Sequence, residues 1–113
     1  FNWKSSTVYD NSLKYEVLKN DEADVAPAYT TEGQLTNKEE FTVLVDDKKF
    51  WPPYNLAPVI RNEVLEVNPD IAEILNNISS TLDTETMTNL NAKVDVDGQE
   101  YEAVAKEYFD SIK

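Results

Sequence analysis

Two tyrosines in this chain stand where an aromatic ring can be aimed at something other than a core. Tyr54 closes the stretch Asp47-Lys48-Lys49-Phe50-Trp51-Pro52-Pro53-Tyr54, and the following Asn55-Leu56-Ala57-Pro58 adds a third proline. Most Phe, Trp and Tyr side chains simply pack in the interior. Here, however, the Pro52-Pro53 pair fixes φ and presents the Tyr54 ring from stiff backbone as the chain leaves a predicted strand. Tyr29 has the same situation, ending the run Asp24-Val25-Ala26-Pro27-Ala28 just before a Thr30-Thr31-Glu32-Gly33 turn. Strand ends and the loops leaving them are where α/β proteins place ligand contacts. Two rings placed in this way suggest an aromatic cage.

Other chemistry is poorly supplied. The chain has no histidine and no cysteine, which removes the usual proton shuttle, the standard base of a nucleophilic triad, thiolate chemistry and most zinc sites. Asp46-Asp47 is a carboxylate pair, but neighbouring residues on a strand point to opposite faces, so it reads as a solvated strand end. Asp95, Asp97 and Gly98 resemble a calcium loop until aligned on the loop glycine. The first ligand position is then Lys93 and the twelfth Val104, so the carboxylates are missing and no metal site follows. Gly98 reads instead as a helix-terminal or turn glycine. Arg61, the only arginine, could clamp a carboxylate, although pairing with Glu63, Glu66 or another surface acid is the simpler account. No convergent catalytic set is visible, no cofactor is implied, and an enzyme is the least supported class.

Charge sets a further limit. With Asp+Glu 22 against Lys+Arg 10, the net charge of -12 repels nucleic acid and anionic membrane surfaces. At 113 residues the chain has the length of one small domain with a thin core. It contains no apolar run of membrane-spanning length.

The elements that must carry the tyrosines are predicted as short strands first and helices afterwards. Phe1-Asn2-Trp3-Lys4 reads as a strand remnant, and Asp10 or Asn11 caps a helix with Leu13, Val17 and Leu18 on its apolar face, ending near Asn20-Asp21. The runs at 23–29, 41–45 and 57–60 read as strands, with Phe41-Thr42-Val43-Leu44-Val45 the best of them. Asn68, Pro69 and Asp70 then start a helix whose buried stripe is Ile71, Ile74, Leu75 and Ile78. Asp83 caps another with Met87, Leu90 and Val94 on one face, broken at Val94-Asp95-Val96-Asp97-Gly98. A last helix from about Glu100 buries Tyr101, Val104, Ala105 and Tyr108. The sum is a mixed α/β piece, helix-rich at its C-terminal end.

Taken in order, Asp24-Val25-Ala26-Pro27-Ala28-Tyr29-Thr30-Thr31-Glu32-Gly33-Gln34-Leu35, then Val43 to Tyr54, then Ala57-Pro58-Val59-Ile60-Arg61, resemble the C-terminal part of the substrate-binding proteins of osmoprotectant ABC transporters. Leu90-Asn91, Val94 to Gly98 and Val104-Ala105-Lys106-Glu107 continue the resemblance almost to the end. Those proteins bind glycine betaine, carnitine, choline or related quaternary ammonium compounds. The resemblance implies an α/β fold of the type II periplasmic-binding-protein kind, whose two lobes close on ligand with tyrosines from both lobes boxing the ammonium group. Tyr29 matches the cage tyrosine of a Tyr-Ser/Thr-Thr-Asp-Gly motif and Tyr54 that of a Phe-Pro-Pro-Tyr motif, with Thr30 and Thr31 as accompanying ligand contacts. Glu32 stands where Asp is usual and Trp51 where Phe is common.

Physical chemistry agrees with that assignment, because a quaternary ammonium has no N–H to donate while the negative faces of aromatic rings attract it by about 0.5–2 kcal/mol each. Rings on rigid backbone also lose little entropy when the ligand arrives. Relatives of this kind are considerably longer, so the resemblance implies a fragment. Residues 1–51 would come from the end of the second lobe and the hinge crossing, and residues 52–113 from the C-terminal part of the first lobe. Apolar surface would be left uncovered, favouring self-association. The implied partners are a quaternary ammonium small molecule and an ABC transporter permease, in an extracytoplasmic setting that meets the membrane only through an anchor or a fused permease. A non-catalytic interaction module that keeps the fold without ligand binding is the alternative.

Overall fold

The structure, a computed structural model, describes residues 2–113. Asp10 starts the first regular element: its carboxylate accepts the Ser12 backbone N–H at 2.9 Å and the Ser12 hydroxyl at 2.6 Å, satisfying a donor that a helix start leaves open. A 3-10 turn over Asn11–Leu13 runs into α1, Lys14–Lys19. The end falls at Asn20, and Asp21 takes up left-handed backbone at φ 57. Of the predicted apolar face, Val17 is buried, Leu18 is half-buried and Leu13 is exposed.

A second 3-10 turn, Gly33–Thr36, precedes a long segment without regular structure. Four helices follow: α2 Asn62–Val67, α3 Asp70–Ser80, α4 Thr84–Asp95 and α5 Tyr101–Ser111. Of the predicted start signals of α3, Pro69 has helical backbone, which its ring favours, and the Asn68 carbonyl accepts the Ile71 N–H at 3.2 Å, but the Asn68 side chain does not cap the helix and donates back to the Val64 carbonyl at 3.3 Å. Asp83 caps α4 by accepting the Thr86 N–H at 2.8 Å. A turn follows the end of that helix and closes at Gly98, whose φ of 69 is the left-handed conformation that a side chain disfavours.

The predicted strands do not form: among the described residues there is no β-strand. The runs at 23–29, 41–45 and 57–60 carry strand-like residue types, yet a strand exists only where another extended segment takes up its backbone hydrogen bonds. None of the three runs offers itself to another. Phe41 is instead held by α1, meeting the Tyr15 ring edge-on at 5.1 Å, beyond which Leu44 and Val45 are 75% and 87% exposed. Of the Phe1–Lys4 run, Phe1 lies outside the described residues and Asn2–Lys4 form no strand.

Burial also departs from the helical patterns. Ile74 is exposed while Ile71, Leu75 and Ile78 are half-buried, and in α5 Val104 is buried and Tyr108 half-buried while Tyr101 and Ala105 face solvent. Amphipathic spacing marks a face able to be buried, but a covering layer must be present to bury it. Among the described residues only Val17 and Val104 are buried apolar side chains. The Cα radius of gyration is 18.0 Å, against about 13 Å for a compact domain of this length.

Packing that does occur centres on α4. The Gly33–Thr36 turn lies directly on it, and α5 is tied to it by Lys93, whose ammonium reaches both Glu107 oxygens at 3.1 Å. The Tyr108 hydroxyl joins α5 to the end of α3, donating to Thr81 at 2.8–2.9 Å. Residues on both sides of position 51 therefore meet through the Gly33 turn and α4.

Candidate functional site

The Tyr29 turn is built by one carboxylate. The Glu32 N–H donates to the Tyr29 carbonyl at 3.2 Å, and Glu32 Oε1 accepts the Tyr29 N–H at 3.1 Å, so the two residues close the turn reciprocally. The α1 helix braces that carboxylate: Lys14 Nζ lies 2.5 Å from Oε1, and the Tyr15 hydroxyl donates to Oε2. On the other side, α4 holds the intervening carbonyls. Asn91 Nδ2 donates to the Thr31 carbonyl at 2.7 Å, and Thr88 Oγ1 lies 3.2 Å from that of Thr30. Thr30 is exposed and Thr31 half-buried, so both serve here through their main chain as anchors of the turn.

The second tyrosine is positioned by an acid as well. Asp46, predicted as a solvated strand end, is exposed, but its carboxylate accepts the Phe50 N–H at 3.0 Å and the Trp51 N–H at 2.9 Å. Those bonds fold the chain back through Lys49, at φ 51, and deliver it into Pro52-Pro53-Tyr54. They also hold the Asp46 carboxyl below the usual range, the Trp51 N–H more than the Phe50 N–H. Phe50 and Trp51 meet edge-to-face at 5.0 Å and remain largely exposed. Arg61 makes no ion pair with Glu63 or Glu66 among the described residues.

The two singled-out tyrosines come together. Their ring centroids are 5.9 Å apart with planes inclined by 31°, although they lie 25 positions apart in sequence and no common core holds them. Tyr29 is 59% exposed and Tyr54 86%. At that separation the rings touch each other, so a cation cannot sit between them as they stand; it can lie across their open side or part them. Lys14 Nζ is 5.9 Å from the Tyr29 centroid, so the ring already neighbours one cation. Two concavities among the described residues lie away from the ring pair, one lined by Asn62, Leu65 and Glu66 and the other by Lys19, Gln34, Asn37, Phe41, Asp95 and Val96. Phe41 is the one aromatic side chain in these two linings, so neither offers a quaternary cation more than a single ring. No cluster of metal-ligating side chains occurs among the described residues, and no helix there is long and apolar enough to cross a membrane.

Glu32 and Tyr15 set opposite pH limits on the turn. Burial by itself would raise the Glu32 carboxyl, but hydrogen bonds from Lys14, Tyr15 and the Tyr29 N–H, with the charge of Lys14, outweigh it and hold the group below its ordinary 4.5. Its contribution to stability is therefore complete above that value and is lost as pH falls through the lowered folded one. Burial, then the hydrogen bond and negative charge of Glu32, push the Tyr15 phenol above its ordinary 10.0. That contribution is complete below pH 10.0 and disappears as pH rises through the raised value. Urea midpoints across the pH range are expected to fall at both ends. Glu32→Gln should flatten part of the acid limb and Tyr15→Phe the alkaline limb, and unchanged limbs in both variants would refute this account.

Sequence reasoning singled out the rings and missed the two carboxylates that hold them. The available signal was spacing: Glu32 follows Tyr29 by three residues and Asp46 precedes Phe50 by four, distances at which a short acid reaches main-chain donors around a turn.

The sequence family described as the substrate-binding domain of ABC-type glycine betaine transport systems matches residues 1–111. A glycine-betaine-binding protein of Pseudomonas aeruginosa is 40% identical over 99 residues, 88% of this chain and 32% of that protein. The carnitine transport binding protein OpuCC of Listeria monocytogenes is 35% identical over 96 residues, 85% of this chain and 31% of its own length. An ergothioneine transport permease/ergothioneine binding protein, EgtU of Helicobacter pylori, is 30% identical across 99% of this chain and 20% of that protein. The crystal structure of a glycine betaine/carnitine/choline ABC transporter superposes with a TM-score of 0.83 at 32% identity, covering 98% of this chain and 40% of that one. The chain thus spans about a third of the length of its first two relatives.

Proposed function

The chain belongs to the family of substrate-binding domains of ABC-type glycine betaine transport systems, and from that premise we propose that Tyr29 and Tyr54 are the aromatic part of a site for a quaternary ammonium osmoprotectant. The carrying observation is the ring pair itself, two exposed tyrosines 5.9 Å apart on turns that their own neighbours hold in place. A trimethylammonium group lying on the open side of this pair meets two negative ring faces and needs no hydrogen-bond acceptor. Glycine betaine, carnitine and choline all carry such a group. Thr30 and Thr31 complete the ligand-facing turn in this reading.

The site is a partial one. Two rings supply about 1–4 kcal/mol together, whereas a micromolar complex needs about 8 kcal/mol. Further contacts must come from the rest of a binding domain to which this chain contributes one part. Residues 1–51 then derive from the second lobe and the hinge crossing, and residues 52–113 from the first lobe. Support for that division comes from the connection without regular structure between the Gly33–Thr36 turn and α2, within which position 51 lies, and from the two tyrosines falling one before and one after that position. The complete protein collects its ligand outside the cytoplasm and delivers it to an ABC transporter permease. Exposed apolar side chains such as Leu56 and Val59, at 89% and 96%, favour self-association of the chain when it is on its own.

The test is calorimetric titration of glycine betaine, carnitine and choline into the chain and into the complete gene product that carries it. Binding by the complete product, with the chain alone no tighter than about millimolar, is the expected result. A complete product that binds none of the three would refute the proposal.

A further inference from the structure

Tyr29 is a ring with little around it to fix its direction. More than half of its surface is exposed, and its ring contacts are Tyr54, which is more exposed still, and the Lys14 ammonium. The direction of the side chain must therefore come from the main chain beneath it. That main chain is closed by Glu32, which accepts the Tyr29 N–H and donates its own N–H to the Tyr29 carbonyl. A carboxylate so used would wander if exposed, but this one is clamped from α1 by Lys14 on Oε1 and by the Tyr15 hydroxyl on Oε2, with side-chain exposures of 11% for Lys14 and 18% for Glu32.

Resting on the ligand reading above, we propose that Glu32 is a positioning residue for the aromatic site, its clamped carboxylate setting the Tyr29 ring against Tyr54. Glu32 touches no ligand in this role and acts through Tyr29. Removing its oxygens frees the Tyr29 N–H and leaves Lys14 without its anion. Glutamine retains an oxygen for the Tyr29 N–H while giving up the charge, so it should preserve much of the ring geometry.

Two measurements decide the matter. In the complete gene product, Glu32→Ala is expected to weaken glycine betaine binding about tenfold, the scale of a lost hydrogen bond to a charged group, with Glu32→Gln recovering most of that loss. In a Tyr29→Ala background the same Glu32→Ala change should have no further effect, because the group it positions is gone. An equal loss in both backgrounds overturns the proposal. The second measurement needs no ligand: nuclear Overhauser contacts between the Tyr29 and Tyr54 ring protons in the chain itself should vanish in Glu32→Ala and persist in Glu32→Gln. Persistence in Glu32→Ala overturns the positioning role, whereas absence of glycine betaine binding by the wild type overturns the ligand reading and leaves the ring-contact result to judge Glu32.

Discussion

Alanine at Tyr29 or at Tyr54 is expected to weaken glycine betaine binding by the complete gene product by about two- to thirtyfold, the equivalent of about 0.5–2 kcal/mol per ring. Phenylalanine at either position keeps the negative ring face and should bind nearly as well as tyrosine. Because the rings touch at 5.9 Å, the two alanine changes should not combine as independent losses. Once one ring is gone the other has lost its neighbour, and the double variant should bind more tightly than the product of the single losses implies. Titration calorimetry of the four proteins gives the coupling directly. If both alanine variants bind like the wild type, the rings are not the ligand site.

The largest effect on stability is expected from Gly33→Ala. A Cβ built there would lie 2.7 Å from the Cα and N of Ala92 and 2.8 Å from the carbonyl carbon of Asn91. Those are backbone atoms of α4 and cannot swing aside as a side chain could. The turn must lift off the helix or the helix must move, a strain of about 1–3 kcal/mol, equivalent to a midpoint lower by about 4 °C or more. Thermal denaturation followed by circular dichroism measures it, and an unchanged midpoint would show that the contact is looser than the structure has it. Ligand binding should fall too, since the Asn91 bond to the Thr31 carbonyl depends on the same close approach. Gly98 differs, being required by its left-handed φ in a place where nothing crowds a Cβ.

Both predictions concern the same small assembly. The Tyr29–Glu32 turn is pressed between α1, which holds its carboxylate, and α4, which holds its carbonyls. The Tyr54 arm is held differently, by Asp46 and by two prolines, with little packing against the rest of the chain. One ring is thus set by tertiary contacts and the other by local backbone. Such a difference would suit the proposed site: the braced ring keeps its place while the more exposed one can yield.

What the residues determined without help were the local elements and the rings themselves. Asp10 and Asp83 act as caps, Pro69 starts α3 and Gly98 closes the turn after α4, because each depends on the conformational preference of one residue and donors within a few positions. Tyr29 and Tyr54 could be singled out for a similar reason, since a stiff proline segment or a turn presents a ring whatever lies further off. Extended backbone and burial could not be read in this way. Val43, Leu44 and Val45 have the composition of a strand, but a strand requires a partner's hydrogen bonds, and Ile74 and Tyr101 have helical spacing without a layer to cover them. Contact between two rings 25 positions apart, and the use of Lys14, Tyr15 and Glu32 to brace one of them, likewise belonged to the tertiary structure alone. Those interactions join segments whose approach depends on Gly33 letting its turn settle on α4, and no local preference encodes a distance between distant parts of a chain.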